Sequence, residues 1–421
     1  MDRSARSTRP GCPAQRWGDA MIAVEQLRRR DAGPSIALFR HGFRPFFLFA
    51  GVWAVIAMLV WIAALHGAVL PDGPLPIARW HAHEMIAGFV GAAISGFVLT
   101  AVPNWTGRRG YAGGPLVLLV TLFLAARLVL LPGSPVPVPT AAAIALLPLP
   151  ALLLTVLPAL VKAGAPRLYG PPALILVFWG GDVLMLAEVA GWTDDTFATG
   201  QLLSLNIALA LVGLIGGRIV PSFTLNALRR AGLALDSPPF PWIDRAGMIA
   251  LGAVVLGDLV TPGSPAAGVI AALAAVATLA RLARWHGLAT LGQPILWVLH
   301  LAYLLVPAAL ATKAAFLLAG MSWAAAWLHL QAAGGIALMI MAVMTRATLG
   351  HTGRDLVAPP LAVAAYVLIP IAALARAFGG ELMPYAAALA VAGAAWIAAF
   401  ALYLVAFAPM LLTPRPDGKP G

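Results

Sequence analysis

Residues 80–108 read WHAHEMIAGFVGAAISGFVLTAVPNWTGR. A Trp and two His open the stretch, about twenty almost uncharged residues follow, and a Trp and a Gly-Arg stop close it. An apolar run of this length spans the ~30 Å hydrocarbon core as one helix at 1.5 Å per residue. The aromatic ends match the belts found at membrane interfaces.

The remainder of the chain repeats this pattern. It has 421 residues, 61% hydrophobic and 10% charged, against roughly 25% charged in a soluble domain. That composition excludes a soluble enzyme and a secreted module. The net charge of +11 does not indicate nucleic acid, because the excess lies in an N-terminal arm and in short loops, as membrane topology requires. Twelve apolar stretches are read at 46–66, 80–103, 114–132, 138–161, 169–191, 199–220, 243–262, 265–284, 294–319, 323–345, 359–378 and 384–409. The expected fold is an all-α polytopic membrane protein: a basic, disordered arm over 1–35, a twelve-helix domain over 36–413 and a tail over 414–421.

Charge fixes the direction. Of the 27 Lys and Arg, nine lie in the arm, fourteen in the even-numbered loops and the C-terminal tail, and four on the other side (Arg79, Arg127, Lys313 and Arg376). Cytoplasmic loops retain the cations, so both termini are read as cytoplasmic and the span number as even. The first apolar run lacks the short core and small-residue cleavage site of a signal peptide. The single cysteine, Cys12, forms no intrachain disulfide, so cysteine usage does not report the redox compartment.

Span 10 echoes span 2. Counting from His83 and from His329, Gly88 aligns with Gly334, Ala101 with Ala347, and Thr106-Gly107-Arg108 with Thr352-Gly353-Arg354. Spans eight apart suit three four-helix units, with span 6 and its Gly217-Arg218 end as the middle copy.

Ionisable groups inside spans signal function. His83 and His329 lie at similar depth near the outer ends of spans 2 and 10, and two imidazoles so placed suit axial ligation of haem; the alternative is a pair of interhelical hydrogen bonds. His81, two residues before His83, points about 200° away on a helix, so one of the two faces the interior and the other a loop or second site. Glu84 and Met85 are available to orient an imidazole or supply a soft ligand. His300 in span 9 and His351 past the end of span 10 are candidates for a second metal, or else for a proton path and a helix cap. Asp182, Glu188, Asp258 and Lys313 are expected to pair or to line a polar cavity.

The segments Leu38–Leu48, Trp80–Met85, Leu99–Arg108, Gly217–Thr224, the stretch around His300 and Met344–Arg354 together resemble the NnrS family over nearly the whole chain. The resemblance implies a bacterial inner-membrane protein that contains haem, here expected as b-type, and copper. It implies a role in binding, turning over or protecting against nitric oxide during denitrification and nitrosative stress. It does not assign histidines to metals. From the residues, His83 and His329 are the haem candidates, His81 an alternate or second-site ligand, and His300 and His351 the copper candidates. Arg108, Arg218 and Arg354 are read as loop anchors before propionate partners.

In architecture the chain is also similar to the catalytic subunit of haem-copper oxidases, whose low-spin haem sits between histidines of helices 2 and 10. Spans 6 and 7 contain no histidine, so the oxidase copper site is missing. The competing reading is a cofactor-free, proton-coupled transporter using His300, Asp182 and Glu188, since twelve helices with internal repeats suit transporters as well. A third is a haem sensor without turnover.

Overall fold

A computed structural model describes residues 36–233 and 241–419. The basic arm read over 1–35 lies outside the described residues. Among those described there is no strand, and twelve long helices follow one another. They are α1 (Phe43–Leu65), α2 (Ile77–Thr106), α3 (Gly114–Val129), α4 (Val138–Ala163), α5 (Gly170–Val189) and α6 (Phe197–Arg230), then α7 (Pro241–Val260), α8 (Pro265–Ala283), α9 (Pro294–Ala319), α10 (Ser322–His351), α11 (Pro360–Phe378) and α12 (Tyr385–Leu412). Each coincides with one of the twelve apolar stretches. A helix satisfies its own backbone hydrogen bonds, which hydrocarbon cannot do.

Ten of these helices are long and apolar enough to cross a bilayer. The other two are α3, with 16 residues, and α7, which carries Asp244, Arg245 and Asp258.

Helix α12 packs back on α1, and α2, α6, α9 and α10 form an inner set that pack on one another. The apolar windows of the inner four are 61–78% buried, against 33–44% for the other six candidate spans. Their mean hydropathies overlap, 1.6–2.1 for the inner four and 1.7–2.5 for the other six, so hydropathy alone does not separate the two sets.

Inner helices α2 and α10 share a further feature. Each contains a seven-residue π-helical segment, Glu84–Val90 in α2 and Leu330–Ile336 in α10. Both segments begin one residue after the aligned histidine, His83 or His329. At the far ends the aligned glycines adopt the same left-handed conformation, Gly107 at φ 68° and Gly353 at φ 70°, which a glycine reaches without the Cβ penalty. The echo between spans 2 and 10 is thus a structural repeat. It does not extend to α6, which is continuous α-helix from Phe197 to Arg230. Instead α6 packs against both π segments.

At the end of the bundle where α1 begins and α12 ends, Arg44 is buried and donates to the carbonyls of Met410, Leu411 and Thr413 at 3.2, 2.9 and 2.8 Å. These are orphan acceptors at the end of α12, so the first and last helices are latched together. Arg281 of α8 lies between Gly217 and Gly247, where a Cβ would come within 2.0 and 2.2 Å of its side chain. It donates to Gly213 O, the Tyr303 hydroxyl and Asp244 at 3.1, 2.8 and 3.1 Å.

Candidate haem cavity

Both π segments lie in the half of the bundle where α2 and α10 begin. A π turn places an extra residue in the helical turn and is commonly found at functional sites. In α2 it is anchored by charge. Glu84 is fully buried and accepts from Arg127 Nη1 of α3 at 2.8 Å and from Trp53 Nε1 of α1 at 2.7 Å. His83 contacts Glu84 Oε1 through Nδ1 at 3.0 Å and Asp182 Oδ1 of α5 through Nε2 at 2.8 Å. In α10 the anchor is neutral at the helix itself. Gln331 donates to Asn206 Oδ1 of α6 at 3.1 Å, Asn206 donates to Asp258 of α7 at 2.7 Å, and Lys313 of α9 donates to the same Asp258 oxygen. Lys313 also lies over the Trp327 ring, 4.7 Å from its centroid.

The intramembrane charges expected to pair do so: Asp182 with His83, Asp258 with Lys313, and Glu188 with Arg79 at 2.6 Å.

Between the two π segments lies a cavity of about 960 Å³, counting its mouth, at the end of the bundle opposite the chain termini. Ligand sites are mostly apolar with a few convergent polar groups. Here those groups are His81, His329, Gln201 and Arg376. The His81 ring stacks on Trp61 of α1, with centroids 4.6 Å apart and planes at 12°. Its Nδ1 is buried without a hydrogen-bond partner in the structure. Small residues of α2, α10 and α12 (Ala82, Ala332, Ala333, Ala392 and Gly393) line the walls.

The cavity therefore brings together His81 and His329, not the sequence-derived pair His83 and His329. Both ring nitrogens of His83 are hydrogen-bonded to carboxylates. The opposition of His81 and His83 on the helix was expected; which of them faces the interior depends on where α1, α3 and α5 lie.

The copper candidates have different surroundings. His300 is 7% exposed, and its Nε2 meets the Thr224 hydroxyl at 2.9 Å while Nδ1 has no partner. His351 packs on Phe43, ring centroids 5.5 Å apart, and its carbonyl accepts from Arg415 at 3.0 Å. Among the described residues no three or more His, Cys, Asp or Glu gather as a metal site. Arg108 lies over Tyr111 at 4.5 Å and Arg354 donates to the Thr352 carbonyl at 3.3 Å, in keeping with loop anchoring, and neither they nor Arg218 line the cavity.

Three cavity residues were missed in the sequence: Trp61, Gln201 and Arg376. Arg376 had a signal, since it is one of four cations kept on the side from which cations are otherwise absent. The structure accounts for all four: Arg79 and Arg127 bind Glu188 and Glu84, Lys313 binds Asp258, and Arg376 reaches the cavity.

These features define a class: an all-α membrane protein with a histidine-lined cavity between two inner helices that share a π turn. The model of the family described as NnrS protein matches residues 37–415, and the chain belongs to that family. A search of the curated proteins returned no match.

Proposed function

We propose that the chain is a nitric-oxide-related membrane protein that holds a b-type haem between His81 and His329. Family membership supports the first part. The observation that carries the second is the convergence of two imidazoles, from helices eight apart in sequence, on one cavity with a cation at its edge.

The residues present fit the group. His81 and His329 reach the cavity from different helices and would be the residues to hold a haem iron. His81 has a buried, unpartnered ring nitrogen, and stacking on Trp61 holds its ring plane. Arg376 offers a positive charge for a propionate, and small Ala and Gly residues line the walls. A haem held there would supply one-electron exchange and an iron able to bind a diatomic gas. The chain's own part is to orient the two imidazoles, neutralise a carboxylate and exclude water with Met58, Ile62, Phe89 and Leu328. His300 and His351 form no common donor set, so no role is routed through copper.

The distribution of Lys and Arg supports a reading in which both termini are cytoplasmic, and on that reading the cavity faces the outer leaflet of a bacterial inner membrane. A small neutral gas partitions into the bilayer, so a site inside it meets a locally enriched supply.

The test is an absorption spectrum of the detergent-purified protein, oxidised, reduced and reduced with nitric oxide, with iron and copper measured on the same sample. A reduced haem spectrum that changes with the gas is expected. A colourless, iron-free protein from haem-replete cells overturns the reading and returns the transporter alternative.

A further inference from the structure

A second cavity, of about 690 Å³ counting its mouth, runs alongside the first toward the other end of the bundle, between α1, α2, α5, α6 and α10. Every residue lining it is apolar, from Phe47 of α1 and Ile94 of α2 to Ile175 of α5, Ile215 of α6 and Ile340 of α10. With no polar group inside it, the space has nothing to fix a headgroup, a quinone carbonyl or an ion. It suits a small, uncharged molecule that already dissolves in lipid.

The two cavities share two lining residues, Val90 and Ile336. Each is the last residue of its π segment, so they are equivalent positions of the repeat. They are 5% and 1% exposed, and form a two-residue partition between an apolar chamber and the histidine cavity. Ile94, Ile215 and Ile340 remain half-buried beside it, on helices that belong to the inner set or border it.

We infer that the apolar chamber is an entry site for uncharged diatomic-sized ligands, which pass from the bilayer through it and across the Val90–Ile336 partition to the cavity of His81 and His329. The inference rests on the haem reading for what the ligand meets at the end of the path, but not for the existence of the chamber. Thermal rotation of two aliphatic side chains opens such a partition without moving a helix, since rotamer changes occur on fast timescales.

Two measurements test it. The first needs no haem: crystals of the full chain pressurised with xenon are expected to show xenon among Ile94, Ile215 and Met339, as apolar cavities of adequate size bind xenon. Absence of xenon there overturns the inference. The second uses carbon monoxide rebinding after flash photolysis of the reduced holoprotein. Ile215→Trp and Ile340→Trp fill the chamber away from the histidine cavity, so the haem spectrum is expected to stay and rebinding from the bulk to slow roughly tenfold. Ile215→Phe and Ile340→Phe are the milder variants if the larger ring prevents assembly. Wild-type rebinding rates in coloured variants overturn the inference. A colourless wild type signals instead that the haem reading has failed, and the chamber is then decided by xenon alone.

Discussion

The two π-bearing helices use one backbone device to opposite effect. In α2 the first register position, His81, faces the cavity and the second, His83, faces a charged cluster. In α10 the equivalent first position, Trp327, packs under the Lys313 ammonium and the second, His329, faces the cavity. The repeat copies the turn but not the facing. Two helices that confront one another across a space need not present equivalent residues to it, so aligning the histidines by sequence selects His83, the one whose ring nitrogens are hydrogen-bonded to carboxylates.

The largest effect that separates the helices concerns the cofactor. His81→Ala and His329→Ala are each expected to abolish the haem spectrum, whereas His83→Gln retains it. Loss of haem in the His83 variant together with retention in His81→Ala, read by pyridine haemochrome assay on folded protein, would restore the sequence-derived pair.

The anchors differ next. Glu84→Gln leaves Arg127 as a buried charge without its carboxylate, a loss of about 3–5 kcal/mol. Gln331→Leu removes a neutral donor from Asn206 and costs about 1–3 kcal/mol. Thermal unfolding in detergent should rank them in that order; equal losses would mean that charge is not what holds the first π turn.

Aligned glycines sharpen the comparison further. A Cβ on Gly88 would lie 2.5 Å from Trp53 Nε1 and 2.9 Å from Glu84 Oε2, whereas one on Gly334 would meet nothing closer than 3.3 Å. Gly88→Ala is therefore expected to destabilise by about 1–3 kcal/mol through overpacking, and Gly334→Ala to stay within about 1 kcal/mol of wild type. Equal melting temperatures would show that the first π segment has more room than its contacts indicate.

A pH-dependent effect lies outside the spans, at His41. Burial, followed by the neighbouring His351, Arg44 and Arg415, lowers its pKa from 6.5 to about 4. The unfolded chain then binds the proton more readily than the folded one between those values, so stability falls as pH drops from about 6.5 towards 4. His41→Gln should flatten that part of a melting-temperature profile; an unchanged slope would place the titration elsewhere.

Much was legible because the bilayer imposes strong rules. Twelve helices fell on twelve apolar runs, and intramembrane charges found partners because an unpaired one is too costly in hydrocarbon. The echo at Thr-Gly-Arg was legible because a left-handed glycine and a basic stop leave a sequence mark. The π turns had none: Ala, Gly and aliphatic residues populate α and π turns alike.

The sequence by itself determined which segments are helices and that histidines from α2 and α10 lie at comparable depth. Only the tertiary structure decided which histidine of α2 meets His329, that Arg376 and Trp61 join them, and that α6 touches both π turns. The reason is physical. In water a helix buries its apolar face and so announces which side is inside, but in lipid both faces are apolar and the interior is set by packing of small residues and by polar pairs between distant segments. Those pairs, such as Asp182 with His83 and Arg127 with Glu84, are separated by many residues and exist as information only once the helices are assembled.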